Sequence, residues 1–558
     1  MKNLREYQQF NKNLLNWYPF EKNQSILIIG KDIDYLASFL SQKCSSVVAV
    51  KKDGVISDSS IEIVNSIPTN KKFDYILLID VIPYVEGICG KPCKFEELLK
   101  TLEKNLINGG KFLIAMDNKF GLRYFVGNPE NAMNKKFASI LGYNNEERRI
   151  ESYTKKSIEN LLSKLGYNSN FYYPLPDFRM PNVIFSDEYL PNYKNIDKYE
   201  PYTLENSDIL MNEIDVYREM LKTNEEAFVF FANSFFIEAS KKKEKIKYKY
   251  ISFNNFRKEE YRLITKIANE YVEKDVVSEE AEKHYEQIKN NIYLLKSDNK
   301  KTIDYIDNEK IKSKYYDNNL LLDEVLVKCL EQGDTDKFYE LIDGYLKVIS
   351  ENSYKIDDYE NTVFGKYDVQ TENKEIAMEL KYLKNGFWDM TFKNCFLIED
   401  EYCFFDQEWI EENLPVEYIL YRSILYTISL RRFFNIEELF SKYGIDKYKK
   451  IFEELDNILQ KKIIDENTTN FFWNNKKFDI DLTKQEMKNM LIRDEAKEKA
   501  IMNFQEEIKK CNEIIEKMTI ENKQKDELIK RLYEELGKSF RYKIKKRIKR
   551  IIGGNHEK

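Results

Sequence analysis

Histidine is nearly missing from this chain: its 558 residues hold two, His284 and His556, far apart. A zinc site built on His and Cys therefore has little to draw on, and Cys89 and Cys93 have no histidine near them in sequence. Seven cysteines are scattered along the chain, with no signal peptide or long apolar span, so a reduced cytoplasmic setting is the expectation. Glycine is also sparse, 18 in all, and no glycine-rich loop of the kind that covers phosphates is readable. Nor does one sign of charge dominate: 89 Lys and Arg against 95 Asp and Glu leave a net charge of -6, which says little about partners. The last stretch differs, since RYKIKKRIKR at 541–550 is densely basic.

What is present points to several folded domains, with 42% hydrophobic and 14% aromatic residues. Residues 73–125 contain a complete strand, helix, turn and strand. Residues 73–80 (FDYILLID) form a near-continuous apolar run ending in an acid, which suits a parallel strand buried on both faces. Phe95, Leu98, Leu99, Leu102 and Leu106 share a helical stripe, Asn108-Gly109-Gly110 stops that helix, and 111–116 runs into Asp117-Asn118. Upstream, 14–20 reads as an amphipathic lead-in, 25–30 as the first strand, 34–42 as a helix, 46–50 and 61–64 as the next strands. Alternating buried strands and helices imply a doubly wound parallel sheet, with Asp80, Asp117 and Asn118 at strand ends facing one crevice.

The pairing of FDYILLID with INGGKFLIAMDN (107–118) resembles the fourth and fifth strands of class I S-adenosylmethionine-dependent methyltransferases. NKFGLRYFVG (118–127) and FYYPLPDFRMPNVIFSDEYLP (171–191) resemble, more narrowly, the methyltransferase-like proteins of bacterial cell-surface polysaccharide clusters. The resemblance spans roughly residues 14–240 and implies a Rossmann-like α/β fold, with 228–237 as a late antiparallel strand. It implies S-adenosylmethionine as cofactor, Gly30 and Asp32 near its methionine part, Asp53 near the ribose, and Asp80 on the adenine or substrate side. Asp117 and Asn118 would face the substrate, with Asp117 as a base for a sugar hydroxyl or simply a strand-end cap. The chain departs from the family twice. IIGKDID (28–34) keeps only the first glycine of the usual turn, and Lys51-Lys52 follow the second strand where an acid normally meets the ribose. A divergent working site and a fold that has lost its cofactor both remain open.

From about residue 245 the pattern changes. Residues 247–253 and 262–267 read as antiparallel strands around Asn254-Asn255, then Lys274 precedes a Glu-rich helix at 279–295. This resembles the nucleotide-binding lobe of protein-kinase-like phosphotransferases. WDMTFKN (388–394) sets Asp389 and Asn394 five apart, the catalytic-loop spacing of kinases and aminoglycoside phosphotransferases, and Asp406 follows twelve residues later. The resemblance implies ATP and Mg2+, with Lys274 on the phosphates, Asp389 on the acceptor hydroxyl, and Asn394 and Asp406 as metal ligands. Phe387 replaces the usual histidine, and Glu280, Glu282 and Glu286 stay open as partners of the lysine. His284 receives no role. Turn residues around a hairpin are the alternative for Asp389, Asn394 and Asp406. Residues 320–330, 336–349, 415–434 and 436–464 read as helices of the larger lobe.

A heptad closes the chain: Ile501, Ile508, Ile515, Asn522, Ile529 and Leu536 at a, Phe504, Cys511, Met518, Lys525, Leu532 and Ser539 at d. Isoleucine at a with one Asn favours a two-stranded parallel coiled coil, so a homodimer through 501–539 is expected; a single helix packed on the preceding domain is the alternative. Residues 540–552 place aliphatic and cationic side chains on opposite faces, which suits an anionic membrane surface. Nucleic acid is not expected, because the apolar stripe is mainly aliphatic. The order is thus a class I methyltransferase-like domain at 1–240, a kinase-like α+β domain at 245–490 (lobes at about 245–312 and 313–490), a coiled coil at 496–539 and a basic tail at 540–558. That order is similar to the bifunctional chain-terminating methyltransferase-kinases of bacterial O-antigen assembly. The similarity implies a glycan or lipid-linked glycan substrate and attachment to the inner face of the plasma membrane. A non-catalytic scaffold that recruits polysaccharide-synthesis enzymes is the alternative, and a nucleic-acid methyltransferase the third reading.

Overall fold

A computed structural model describes residues 8–474, apart from 52–55, 57, 131, 144–149, 194, 197–210 and 370–373, together with 480–552. The first strands are β1 (Ser25–Gly30), β2 (Ser46–Val50), β3 (Ile61–Val64), β4 (Phe73–Ile79) and β5 (Leu106–Asp117). They pair in parallel in the order β3-β2-β1-β4-β5. Their apolar runs are continuous because both faces are covered. Ile26, Ile28 and Leu77 meet Leu36, Ala37 and Leu40 of the helix Asp34–Lys43 together with Leu14, Leu15 and Trp17. On the other face Leu27, Ile76 and Leu78 meet Phe95, Leu98, Leu99 and Leu102 of the helix Phe95–Glu103. The chain runs outward from β1 to β3 and then crosses back to β4, so a topological switch lies between β1 and β4.

β6 (Asn168–Leu175), β7 (Val183–Ser186) and β8 (Ser234–Ser240) extend this sheet. β8 lies antiparallel between β5 and β6, the place expected of the late closing strand. That strand is shorter than the apolar run 228–237, because its first half is the helix Ala227–Phe231. Phe228 is fully buried and the Asn118 amide donates to the Phe230 and Ala232 carbonyls at 2.8 Å, so tertiary contacts override the run's strand character. Asn108-Gly109-Gly110 likewise does not end a helix. The helix stops at Glu103, and the three residues form an irregular start to β5, where the register with β4 slips between Phe73 and Tyr75.

The sheet does not stop at β8. β9 (Tyr250–Phe253) pairs antiparallel with β7, and β10 (Leu263–Ile267), β11 (Tyr271–Val276), β13 (Asp304–Asp307) and β14 (Lys310–Lys314) follow in the order β9-β10-β11-β14-β13. A single sheet of thirteen strands therefore runs through both segments. The helix Glu282–Ser297 lies between β11 and a short β12 (Lys301–Thr302). Beyond it, β15 (Tyr382–Phe387) pairs with β18 (Ile410–Pro415), and β16 (Cys395–Ile398) with β17 (Glu401–Phe404) form a hairpin between them. The surrounding helices Leu322–Glu331, Thr335–Ser350, Val416–Tyr426 and Lys449–Ile463 close a core on Phe338, Tyr345, Phe392, Tyr418 and Phe452. The expected long helices at 415–434 and 436–464 are each broken, at Thr427 and at Tyr443–Gly444.

Residues up to 477 form one compact unit and 478–558 a second. In the second, Ile480–Ile552 is one helix of 73 residues with no break at 539. Ile501, Phe504, Ile508, Ile515, Met518, Ile529, Leu532 and Leu536 are exposed along it. Among the described residues no helix is long and apolar enough to cross a membrane.

Candidate functional site

At the carboxyl ends of β1, β2 and β4, beside the switch point, a cleft of about 420 Å³ opens. Ile29, Gly30 and Val50 come from the strands, Tyr84, Gly87 and Ile88 from the segment after β4, and Lys31, Lys51 and Asn65 supply polar atoms. Gly30 has a steric reason to be glycine: a Cβ there would collide with the Ile79 carbonyl oxygen and lie 2.9 Å from its carbon. Lys51 closes one end, its ammonium 2.6 and 2.8 Å from the two Asp34 oxygens. This ion pair stands where the family pattern has a ribose-binding acid. Asp32 is exposed on the turn beyond β1 with φ 52°. Asp53 lies outside the described residues.

Asp80 and Asp117 end β4 and β5 and enter a second, adjoining space. Arg179, from the loop between β6 and β7, bridges them. Its Nη2 lies 2.8 Å from Asp80 and 3.0 Å from Asp117, and its Nη1 3.0 Å from Asp117 and 3.2 Å from Asp177. Arg123 pairs with Asp177 behind it. Burial pushes the Asp80 carboxyl up, and Arg179 acts against that shift. Asp117 is thus held as one half of a bidentate ion pair. Asn118 points away from the crevice, fully hydrogen-bonded at 1% exposure.

A small cavity of about 40 Å³ follows, with Asp80, Asp117, Glu130, Tyr124, Tyr143 and Tyr153 among its walls. An intermediate space of about 300 Å³ joins it to the cleft. This space shares Tyr84 and Gly87 with the cleft, and Ile82, Pro83, Ile150 and Glu151 with the small cavity. The cleft and the inner cavity are therefore neighbours in one trough along the strand ends.

The second cluster sits where the sheet strand β11 meets the loop after β17. Lys274 pairs with both Asp406 and Glu408. Glu408 is 2% exposed on its side chain and also pairs with Arg257, while His284 Nε2 stands 3.3 Å away. Burial works against its charge, yet Arg257 and Lys274 hold the Glu408 carboxyl well below the usual range. The lysine's partner is therefore Glu408, outside the helix, and none of Glu280, Glu282 or Glu286 forms a described ion pair with Lys274. His284 occupies the helix position that faces this pair and stacks on Trp409 at 4.5 Å. Asn394 donates to the Asp389 carbonyl at 3.0 Å, as Gln407 does at 3.1 Å, so Asp389, Asn394 and Asp406 belong to one constellation. Burial raises the Asp389 carboxyl to about 6, against the pull of Arg422 3.6 Å away. Among the described residues no group of three or more His, Cys, Asp or Glu is arranged to hold a metal ion.

No family model matches the chain, and no curated protein matches it. Solved structures do. Phosphoethanolamine N-methyltransferase 2 of Haemonchus contortus, in complex with S-adenosyl-L-methionine, is 15% identical over 42% of this chain and 52% of its own, with a TM-score of 0.24. The chain thus spans about half of that enzyme. An S-adenosylmethionine-dependent methyltransferase of Mesorhizobium loti is 14% identical over 41% of this chain and 95% of its own, at 0.23. One of Archaeoglobus fulgidus is 12% identical over 43% and 91%, at 0.24.

Of the residues singled out in sequence, Gly30 lines the cleft, Asp80 and Asp117 line the inner cavity, and Lys274, Asp389, Asn394 and Asp406 meet in the second cluster. Arg179, Glu130 and Glu408 were not singled out. Arg179 is 62 and 99 residues from its partners, and only its place within the family-like segment 171–191 marked it.

Proposed function

We propose that this chain is an S-adenosylmethionine-dependent methyltransferase that modifies a cell-surface glycan or its lipid-linked precursor at the cytoplasmic face of a bacterial membrane. The observation that carries the reading is the cleft at the β1–β4 switch point. Doubly wound sheets bind ligands there, and a volume of about 420 Å³ with mainly apolar walls and few polar groups suits a small cofactor. Gly30 would face the methionine part, and the trough past Tyr84 and Gly87 leads to the acceptor side. The glycan class draws on the resemblance of 118–127 and 171–191, and membrane attachment on the cations of 541–550. Phosphotransfer from ATP with Mg2+, through Lys274, Asp389, Asn394 and Asp406, is the further activity of the second cluster. The test is transfer of radiolabelled methyl from S-adenosylmethionine into lipid-linked glycans of a membrane extract, with Gly87→Trp as the blocked control. A Cβ at Gly87 meets nothing within 4 Å, so the backbone accepts a side chain there, and the indole is expected to occupy the cleft.

A second reading has its own observation. Lys51 is closed on Asp34, and Lys274 on Asp406 and Glu408, so both sites carry internal ion pairs where ligands would bind. On that reading the chain is a scaffold that recruits synthesis enzymes through its long helix. Absence of binding of either S-adenosylmethionine or Mg2+-ATP to the folded chain is its signature, whereas Mg2+-ATP binding lost in Asp406→Ala contradicts it.

A further inference from the structure

The inner cavity at the ends of β4 and β5 has an electrostatic imbalance. Among the described residues, Asp80, Asp117, Glu130 and Glu151 bring four carboxylates to its wall, against Lys119 in the wall and the Arg179 fork, which leaves two more carboxylates than cations. Arg179 answers Asp80 and Asp117. Glu130 is 3% exposed and is held by the Ala132 and Met133 amides at 2.8 and 2.6 Å and by the Tyr143 hydroxyl at 3.2 Å. Glu151 accepts from the Phe95 amide at 2.9 Å and from the Tyr153 hydroxyl at 3.0 Å. Neither has a cationic partner among the described residues. A carboxylate as buried as that of Glu130 is costly without a counter-ion, and a cationic ligand lowers the cost; Glu151 is half-buried.

The rest of the wall points the same way. Tyr124, 2% exposed, lines the cavity with a hydroxyl that bonds to none of the described groups. Tyr143 and Tyr153 add two aromatic rings, the surface that ammonium groups prefer, while the Tyr124 ring already has the Arg123 guanidinium at 5.7 Å. A volume of about 40 Å³ admits an amine head and little more, since one water takes about 30 Å³ in the liquid. The wider space of about 300 Å³ beside it has room for the remainder of an acceptor.

We propose that this cavity binds the amino group of the methyl acceptor, an amine-bearing sugar or similar small amine, so that the methyl is transferred to nitrogen. The proposal rests on the methyltransferase reading above and narrows its substrate class. The acceptor enters as an ammonium ion held by Glu130 and Glu151. One N–H proton passes to Asp80, whose second oxygen is not used by Arg179. The freed lone pair forms the N–C bond to the methyl group while the C–S bond breaks with its electron pair on sulfur. The sulfonium becomes a thioether, the product is a methylammonium ion, and Asp80 then loses its proton to water. Burial raises the proton affinity of Asp80, which favours that transfer.

The test uses the full chain and two probes of equal size, ethanolamine and uncharged ethylene glycol, compared by saturation-transfer NMR and titration. Ethanolamine is expected to bind at least tenfold more tightly, and Glu130→Gln to erase the preference; Glu151→Gln serves if the first variant does not fold. In parallel, methyl transfer from S-adenosylmethionine is measured to glucosamine and to N-acetylglucosamine, with transfer expected to the free amine alone. Equal affinity for the two probes, binding of neither, or methylation of N-acetylglucosamine overturns the amine site. If ethanolamine is preferred while S-adenosylmethionine does not bind, the amine site stands and the methyl-transfer reading falls.

Discussion

Both terminal nitrogens of Arg179 lie 3.0 Å from the Asp117 carboxylate, one on each oxygen. The same guanidinium reaches Asp80 and Asp177, so a single side chain from the β6–β7 loop bridges the ends of two central strands. Removing it leaves buried carboxylates without a counter-charge. Arg179→Ala is expected to cost about 3–5 kcal/mol in chemical denaturation. Arg179→Lys recovers only part, because an ammonium cannot reproduce the planar fork.

Two glycines of the cleft behave oppositely. A methyl group at Gly30 meets the Ile79 backbone, whereas at Gly87 it meets open space. Gly30→Ala is expected to lower stability by more than about 3 kcal/mol, since backbone must move. Gly87→Ala stays within about 1 kcal/mol of the parent in the same thermal or denaturant unfolding.

In the second cluster, burial holds the Asp389 carboxyl at about 6 in the folded state, above its ordinary value of 3.8. A raised folded value means that the native state binds this proton more tightly than the unfolded chain. The contribution is therefore full below about pH 4 and is lost as pH rises through 6. Asp389→Asn carries no such loss. It is expected to be more stable than the parent by about 1–2 kcal/mol at pH 7, with the advantage vanishing near pH 4. Parallel denaturation curves between pH 4 and 7.5 check this.

The long helix exposes Ile508 at 58% and Ile515 at 60% on the stripe that the heptad assigns to a partner chain. Sedimentation equilibrium is expected to give a dimer, and Ile508→Asp with Ile515→Asp a monomer whose remaining domains unfold at an unchanged temperature.

How much of this was legible varies with the kind of residue. Residues 25–30 and 73–79 declared themselves, because a strand buried on both faces needs an unbroken apolar run. Residues 228–231 misled for the same reason: a short apolar run reads alike as strand or buried helix, and the Asn118 contacts that decide it come from more than a hundred residues away. Lys274 is legible from its place ahead of a Glu-rich helix, but its partners lie off that helix. Glu408 was invisible because its role depends on the loop after β17 folding back against β11. The carboxylates at 80 and 117 were legible as strand ends, yet the arginine that pairs them and the Glu130 carboxylate beside them come together only in three dimensions.

Calorimetric titration of the full chain with S-adenosylmethionine, repeated with Gly87→Trp, tests the cleft directly. Micromolar binding to the parent and at least a tenfold loss in the variant are expected, with both proteins folded. No binding to the folded parent, or equal binding to the variant, contradicts a cofactor site in the cleft at the β1–β4 switch point.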